Sequence, residues 1–244
     1  MPVRALIFDV DGTLAETEDL HRLAFNRAFE IAGIDWVWSR DLYARLLRVT
    51  GGRERIRFYA DETGAADIDS AALHRTKTEI YNGFMSPGVL ELRPGIERLI
   101  RRARDGGLKL AIATTTSRAN IDSLFGATMG KGALDWFASI RSGEDVRNKK
   151  PDPEVFELVL ADLDLPPEDC IVFEDSENGL RAAKALSLPT VVTPSIYTWD
   201  NQFSAADLVV RTVDEPFSMR ELMPEKELSD IPESLRDLLF AQMV

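Results

Sequence analysis

Cysteine is nearly missing. The 244 residues contain one, Cys170, and a single thiol closes no intrachain disulfide and builds no thiolate zinc site. Cys170 lies in an apolar run, where it reads as a buried strand residue. No apolar run approaches the roughly 20 residues that a membrane-spanning helix needs. Met1-Pro2-Val3-Arg4 leads into the first predicted strand without the apolar segment and cleavage site of a secretory signal. These absences lead to the expectation of a cytosolic protein with no membrane partner. Positive charge is also short. Lys and Arg number 29 against 41 Asp and Glu, for a net charge of -12 and a pI near 4.7. Such a surface repels a nucleic-acid backbone, yet a few local cations suffice to hold a small phosphorylated ligand. No internal repeat, heptad or long apolar patch is evident, so a monomer is expected.

What is present is an ordinary globular composition, 45% hydrophobic and 29% charged. The length suits one α/β domain, or a core carrying a smaller inserted domain. Ala5 to Phe8 is an apolar run that stops at Asp9-Val10-Asp11-Gly12-Thr13. It reads as a buried strand ended by a turn. Helical spacing follows in Leu20–Ile31, near Leu42–Leu47, near Ile56–Tyr59 and from about Ser70 to Phe84, with no strand signal between. Glu16-Thr17-Glu18 carries capping residues for the first helix. Trp36, Trp38, Phe25 and Phe29 read as core of this helical block rather than a sugar-stacking platform. After Ser86-Pro87-Gly88 and Arg93-Pro94-Gly95, strands and helices alternate. Strands are predicted at 108–113, 137–140, 170–173, 189–192 and weakly at 208–210. Helices are predicted at 96–103, 118–129, 153–163 and 178–186. That alternation predicts an α/β fold with a parallel sheet, and the helical block reads as an insertion. We place the core at residues 1–16 and 91–244 and the insertion at 17–90. The acidic tail after Glu215 reads as one or two short helices or partly disordered chain. Gly126–Lys131 is one residue short of a phosphate-loop motif and is discounted.

In parallel α/β sheets the ligand crevice lies beyond the carboxyl ends of the strands. Four polar clusters fall there: Asp9 with Asp11, Thr114-Thr115-Thr116, Lys149-Lys150-Pro151, and Glu174-Asp175. Each alone has a plainer reading. The threonines or the Glu174-Asp175 pair could cap the next helix, and the lysines could be solvated loop charges. Together they suit phosphoryl transfer. Asp9, Asp175 and Glu174 are hard oxygen ligands suited to Mg²⁺. Lys150 and the Thr114 hydroxyl suit the phosphoryl oxygens. Asp9 is the candidate nucleophile, and Asp11 the candidate acid and base. Glycoside hydrolysis also uses paired carboxylates, but would leave the Thr and Lys clusters unexplained.

In order along the chain, Phe8–Thr13, Ala113–Thr116, Lys150-Pro151 and Glu174–Ser176 resemble the four motifs of the haloacid dehalogenase superfamily. The resemblance spans nearly the whole chain. It implies a Rossmann-like parallel-sheet core with an inserted all-helical C1-type cap, as in the β-phosphoglucomutase-like subfamily. It implies Asp9 as nucleophile and Asp11 as general acid and base. Asp9, the Asp11 carbonyl and Asp175 would hold the Mg²⁺ cofactor, with Glu174 either a further ligand or a partner of the ligands. Thr114, Thr115, Thr116 and Lys150 would bind the transferring phosphoryl group. An acid at position 11 favours phosphoryl transfer, because dehalogenases of the superfamily lack one there. The insertion is similar to that of the CbbY group of sugar-bisphosphate phosphatases in Ala15–His21, Thr50–Ile56 and His74–Lys77. Those relatives carry Lys where Arg53 stands, so a planar fork replaces a point donor.

That similarity implies a phosphorylated sugar as substrate, with xylulose-1,5-bisphosphate foremost. The candidate residues are Glu18, Gly51, Gly52, Arg53, Glu54, Arg55, His74, Arg75 and Lys77. The physical reading agrees, because a second phosphate needs cations of its own, and Gly51-Gly52 allows close backbone approach. His21 and His74 read equally as helix-surface residues or ligands. A sugar phosphomutase, another small phosphosugar or phosphoglycolate-type phosphatase, and a catalytically idle binding protein remain as alternatives.

Overall fold

The computed structural model describes residues 3–65 and 67–213. Its framework is a six-stranded sheet formed by β1 (Ala5–Phe8), β2 (Lys109–Ala113), β3 (Phe137–Arg141), β4 (Cys170–Glu174), β5 (Thr190–Val192) and β6 (Leu208–Val209). The order is β3-β2-β1-β4-β5-β6, with every neighbouring pair parallel. Ile7 stands beside Ala111 on one flank and Val172 on the other, so β1 is central. Its four residues are all apolar and fully buried, as a strand covered on both faces requires.

Alternation sorts the strand side chains into two layers. Leu6, Phe8, Leu110, Ile112, Ile171 and Phe173 face α5 (Ile96–Asp105) and α6 (Arg118–Ala127), meeting Leu99, Ile100, Ile121 and Leu124. Ile7, Ala111, Cys170 and Val172 face α7 (Glu154–Leu163) and α8 (Glu177–Ala185), meeting Val155, Phe156, Val159 and Ala183. Each large side chain buried this way contributes about 1.5–3 kcal/mol. Cys170 is buried in the second layer, as its apolar setting suggested.

Between β1 and β2 lie α1 (Glu18–Ile31), α2 (Arg40–Leu46), α3 (Gly52–Glu62) and α4 (Ser70–Phe84). They surround a separate core of Phe25, Phe29, Trp38, Tyr43, Leu46, Ile56 and Leu73, with Trp36 packed against it. The aromatic residues are therefore interior, as expected. Helix α6 ends at Ala127 rather than Met129. The tail from residue 215, where the sequence suggests short helices, lies outside the described residues.

Two linkers join the insertion to the sheet, and they touch. The Arg93 amide donates to the Leu14 carbonyl at 2.7 Å. The Arg93 guanidinium is buried and donates to the carbonyls of Gly12, Thr193, Pro194 and Arg211. It also pairs with Glu16 at 3.4 Å. A rigid planar fork serves this convergence of carbonyls better than a lysine would.

Candidate active site

All four clusters meet at one edge of the sheet. They form the floor of a cavity of about 780 Å³, whose opposite wall comes from the helical insertion. The competing capping roles are filled by other residues. Ser117 caps α6 by accepting from the Asn120 amide, and Ser176 caps α8 by accepting from the Gly179 amide. That leaves Thr114 and Asp175 to the cavity.

Lys150 ties the floor together. Its ammonium donates to Asp9 Oδ1 at 2.8 Å, to Glu174 Oε1 at 2.6 Å and to the Ala113 carbonyl at 2.8 Å. Burial would lower this ammonium, but the Asp9 and Glu174 carboxylates outweigh burial and hold it above the usual lysine range. Asp9, Glu174 and Asp175 bring carboxylate oxygens within 4.8 Å of one another. Three buried anions around one ammonium are under-neutralised. Burial, with the Glu174 and Asp11 charges, pushes the Asp9 carboxyl up to about 7 against the pull of Lys150. Burial, with the Glu174 and Asp9 charges, pushes Asp175 well above the carboxylate range. An oxygen-loving divalent cation would remove that deficit, so the donor set fits Mg²⁺. Thr198 supports Asp175 by donating to Oδ2 at 3.2 Å. Gly12 closes the turn after Asp11 with φ +85°, and a Cβ there would lie 2.1 Å from Asp175 Oδ2. Glycine alone fits both demands.

Asp11 has different partners. Its Oδ1 accepts from the Thr17 hydroxyl at 2.6 Å and from His21 Nε2 at 3.0 Å. Thr17 was expected to cap α1, but its side chain makes no cap bond and serves Asp11 instead. The Lys77 ammonium donates to His21 Nδ1 at 2.7 Å. Only a neutral His21 protonated on Nε2 satisfies both neighbours. Burial would raise Asp11, but His21, Thr17 and Lys77 reverse this and hold it below the carboxylate range. Burial pushes Lys77 down to about 7. The Phe25 and Tyr81 rings, 4.9 and 5.1 Å from its nitrogen, supply part of what water would.

On the wall, Tyr43 donates to Glu18 Oε2 at 2.7 Å, and the Arg55 guanidinium donates to the Tyr43 oxygen at 3.0 Å. Arg53 lines the cavity from an exposed position, beside Gly51 and Gly52. His74 packs against Gly52 and is pushed down to about 4 by burial. Glu54 reaches Lys149 Nζ at 3.0 Å. Thr115 and Thr116 also line the floor.

Arg75 is a correction. It sits exposed on α4 and does not line the cavity. Leu73 and Lys77 are buried and His74 is half-buried, so that face of α4 turns inward and position 75 turns out. Tyr43, Thr17 and Thr198 join the site without having been selected from the sequence, and His21, which read equally as helix-surface residue or ligand, faces Asp11. His21 shares the buried face of α1 with Ala24, Phe25 and Ala28. That i, i+3, i+4, i+7 spacing was the available signal.

Residues 3–187 match the family of haloacid dehalogenase-like hydrolases. The chain is 50% identical over 209 residues to protein CbbY of Rhodobacter capsulatus, covering 85% of this chain and 92% of that one. The fold superposes on crystalline CbbY from Rhodobacter sphaeroides with a TM-score of 0.84 at 45% identity. That match covers 87% of this chain and 96% of the other. CbbY has been solved with phosphate and, as a mutant, with xylulose-(1,5)bisphosphate. β-Phosphoglucomutase from Clostridium difficile shares the fold, with a TM-score of 0.73 at 20% identity and 99% of each chain covered. The ordered motifs, their meeting at one sheet edge and these similarities agree: the chain belongs to the haloacid dehalogenase-like hydrolases and groups within them with the CbbY proteins.

Proposed function

We propose that the protein is a Mg²⁺-dependent phosphatase that hydrolyses a sugar bisphosphate, foremost xylulose-1,5-bisphosphate, through an aspartyl-phosphate on Asp9. The observation that carries this reading is the division of labour between two nearby carboxylates. Asp9 faces Lys150 and the acidic cluster, whereas Asp11 faces Thr17 and His21. Solved CbbY with the bisphosphate supports the substrate class.

Bound Mg²⁺, held by Asp9, Asp175 and Glu174, would neutralise charge around the phosphoryl oxygens. Lys150, with Thr114 and nearby amides, would complete that cradle. An Asp9 carboxylate oxygen attacks phosphorus, and the bond from phosphorus to the sugar oxygen breaks. Asp11 gives its proton to that leaving oxygen. The negative phosphoryl group beside Asp11 opposes its ionisation, which readies it as the acid. In the second step Asp11 takes a proton from water, the water oxygen attacks phosphorus, and the bond to Asp9 breaks. Free phosphate leaves and Asp9 is regenerated. The helices at 17–90 act as a cap that excludes water during the first step. Arg53 and Arg55 offer positive charge to the second phosphate, and Glu18 accepts from sugar hydroxyls.

Phosphate release from a panel of sugar mono- and bisphosphates, with and without Mg²⁺, tests the reading. Expected are a preference for bisphosphates, loss of turnover with a chelator, and loss with Asp9→Asn. Equal turnover of monophosphates would refute the bisphosphate assignment. Conversion of β-glucose 1-phosphate to glucose 6-phosphate would identify a phosphomutase instead.

A further inference from the structure

Three contacts bridge the helical insertion and the strand-end loops, and none belongs to the reacting groups. Lys149 pairs with Glu54 of α3 at 3.0 Å. The Asn178 amide donates to the Thr50 hydroxyl at 2.9 Å and to the Arg48 carbonyl at 3.1 Å. The Tyr197 hydroxyl donates to Asp19 Oδ1 of α1 at 2.6 Å. Their positions in the chain are informative. Lys149 precedes Lys150, which holds Asp9 and Glu174. Asn178 lies in the first turn of α8, three residues after Asp175. Tyr197 precedes Thr198, which holds Asp175. On the other wall, Glu54 stands between Arg53 and Arg55, Thr50 precedes Gly51, and Asp19 follows Glu18. Lys149, Glu54, Asn178, Thr50, Arg48 and Tyr197 also line the cavity themselves, and Asp19 adjoins Glu18, which does.

We infer that these three contacts form a latch that sets the closed position of the cap. The inference rests on the phosphatase reading and deepens it. Closure then brings the substrate-facing wall and the phosphoryl-facing floor to a fixed separation. The strength of each contact suits a latch that opens every turnover. An exposed ion pair shifts an equilibrium by only about two- to five-fold, a neutral hydrogen bond by about two- to ten-fold, and a bond to a carboxylate such as Tyr197 to Asp19 by about tenfold or more. One buried ion pair of large net worth would instead hold the cap shut. The Lys149 and Glu54 side chains retain 19% and 46% exposure, so water can replace either partner on opening. Gly51, with φ +95°, leaves room for this pair: a Cβ there would lie 2.2 Å from Glu54 Oε2 and 2.7 Å from Lys149 Nζ.

The test reads cap position directly. Cys170 is buried, so spin labels attach selectively at Thr63→Cys on the insertion and Glu157→Cys on α7, both at exposed positions. Label distances are measured in the free protein and with beryllofluoride plus Mg²⁺, alongside kcat and KM for the best substrate of the panel. Lys149→Met, Glu54→Gln, Asn178→Ala and Tyr197→Phe should each broaden the distance distribution and lower kcat/KM, by about two- to ten-fold in the first three and by about tenfold or more in Tyr197→Phe. The charge swap Lys149→Glu with Glu54→Lys should restore the distances and most of the activity. Wild-type distances in all four single variants would overturn the latch, as would a swap no better than its singles. If no phosphate ester is turned over, the phosphatase reading fails, and the label distances still decide whether the latch exists.

Discussion

At the scale of single residues, the site depends on giving similar groups different neighbours. Asp9 and Asp11 are two positions apart, yet one is opposed by Lys150 and the other by Thr17 and His21. Lys77 supports Asp11 by its charge and through its hydrogen bond to His21, and its burial is costly. Its folded value of about 7 lies below the ordinary 10.5. The unfolded chain therefore binds the proton more tightly, so the cost is full below pH 7 and fades as pH rises toward 10.5. Lys77→Met should raise stability at pH 6.5 by about 1–3 kcal/mol and by less at pH 9, while lowering kcat at least about tenfold. Denaturant unfolding at the two pH values, with phosphate-release assays, checks both halves. Lys150→Met should behave oppositely. It leaves Asp9 and Glu174 without their cation, so about 3–5 kcal/mol of stability should be lost together with activity, as read by denaturant midpoint.

At the scale of elements, chemistry sits where strands stop, and this was legible in the sequence. Apolar runs ending at Asp9, Thr114 and Glu174 identify strand ends without any knowledge of packing. The inserted helices were harder to read. A charged residue on an amphipathic helix announces its charge but not its direction. Arg75 and Lys77 looked alike, yet α4 turns one out and buries the other. Tyr43 and Thr198 acquire roles only when distant segments meet, and local spacing carries little of that. Close approach between elements is also invisible in the sequence. A Cβ on Gly179 of α8 would lie 1.9 Å from the Glu174 carboxylate. Gly179→Ala should displace that carboxylate from Lys150 and weaken Mg²⁺ binding by about 10- to 100-fold, measured by Mg²⁺ titration of phosphate release. Unchanged Mg²⁺ dependence would show that α8 can shift at no cost.

At the scale of the molecule, the acidic cluster links metal, protons and folding. Asp9 has a folded value near 7 against 3.8 ordinarily. Between those values the folded protein binds the proton more tightly, so metal-free stability falls as pH rises from 3.8 to 7. A Mg²⁺ ion held there, as proposed, would compete with that proton. Its stabilisation should therefore grow with pH up to about 7, by as much as about 1.4 kcal/mol per unit for one group. Thermal melts with and without Mg²⁺ at pH 6 and pH 8 test this, and an increment independent of pH would count against it. The meeting of the two linkers carries a consequence of another kind. Leu14 and Arg93 are one hydrogen bond apart, although the whole helical insertion lies between them in sequence. Leaving and re-entering the sheet at one point makes the insertion a removable module. Recombination at that junction can replace the roof of the cavity while the floor keeps its geometry. Substrate preference and catalytic chemistry are in that way separately inheritable, and a lineage can change what it hydrolyses without rebuilding how.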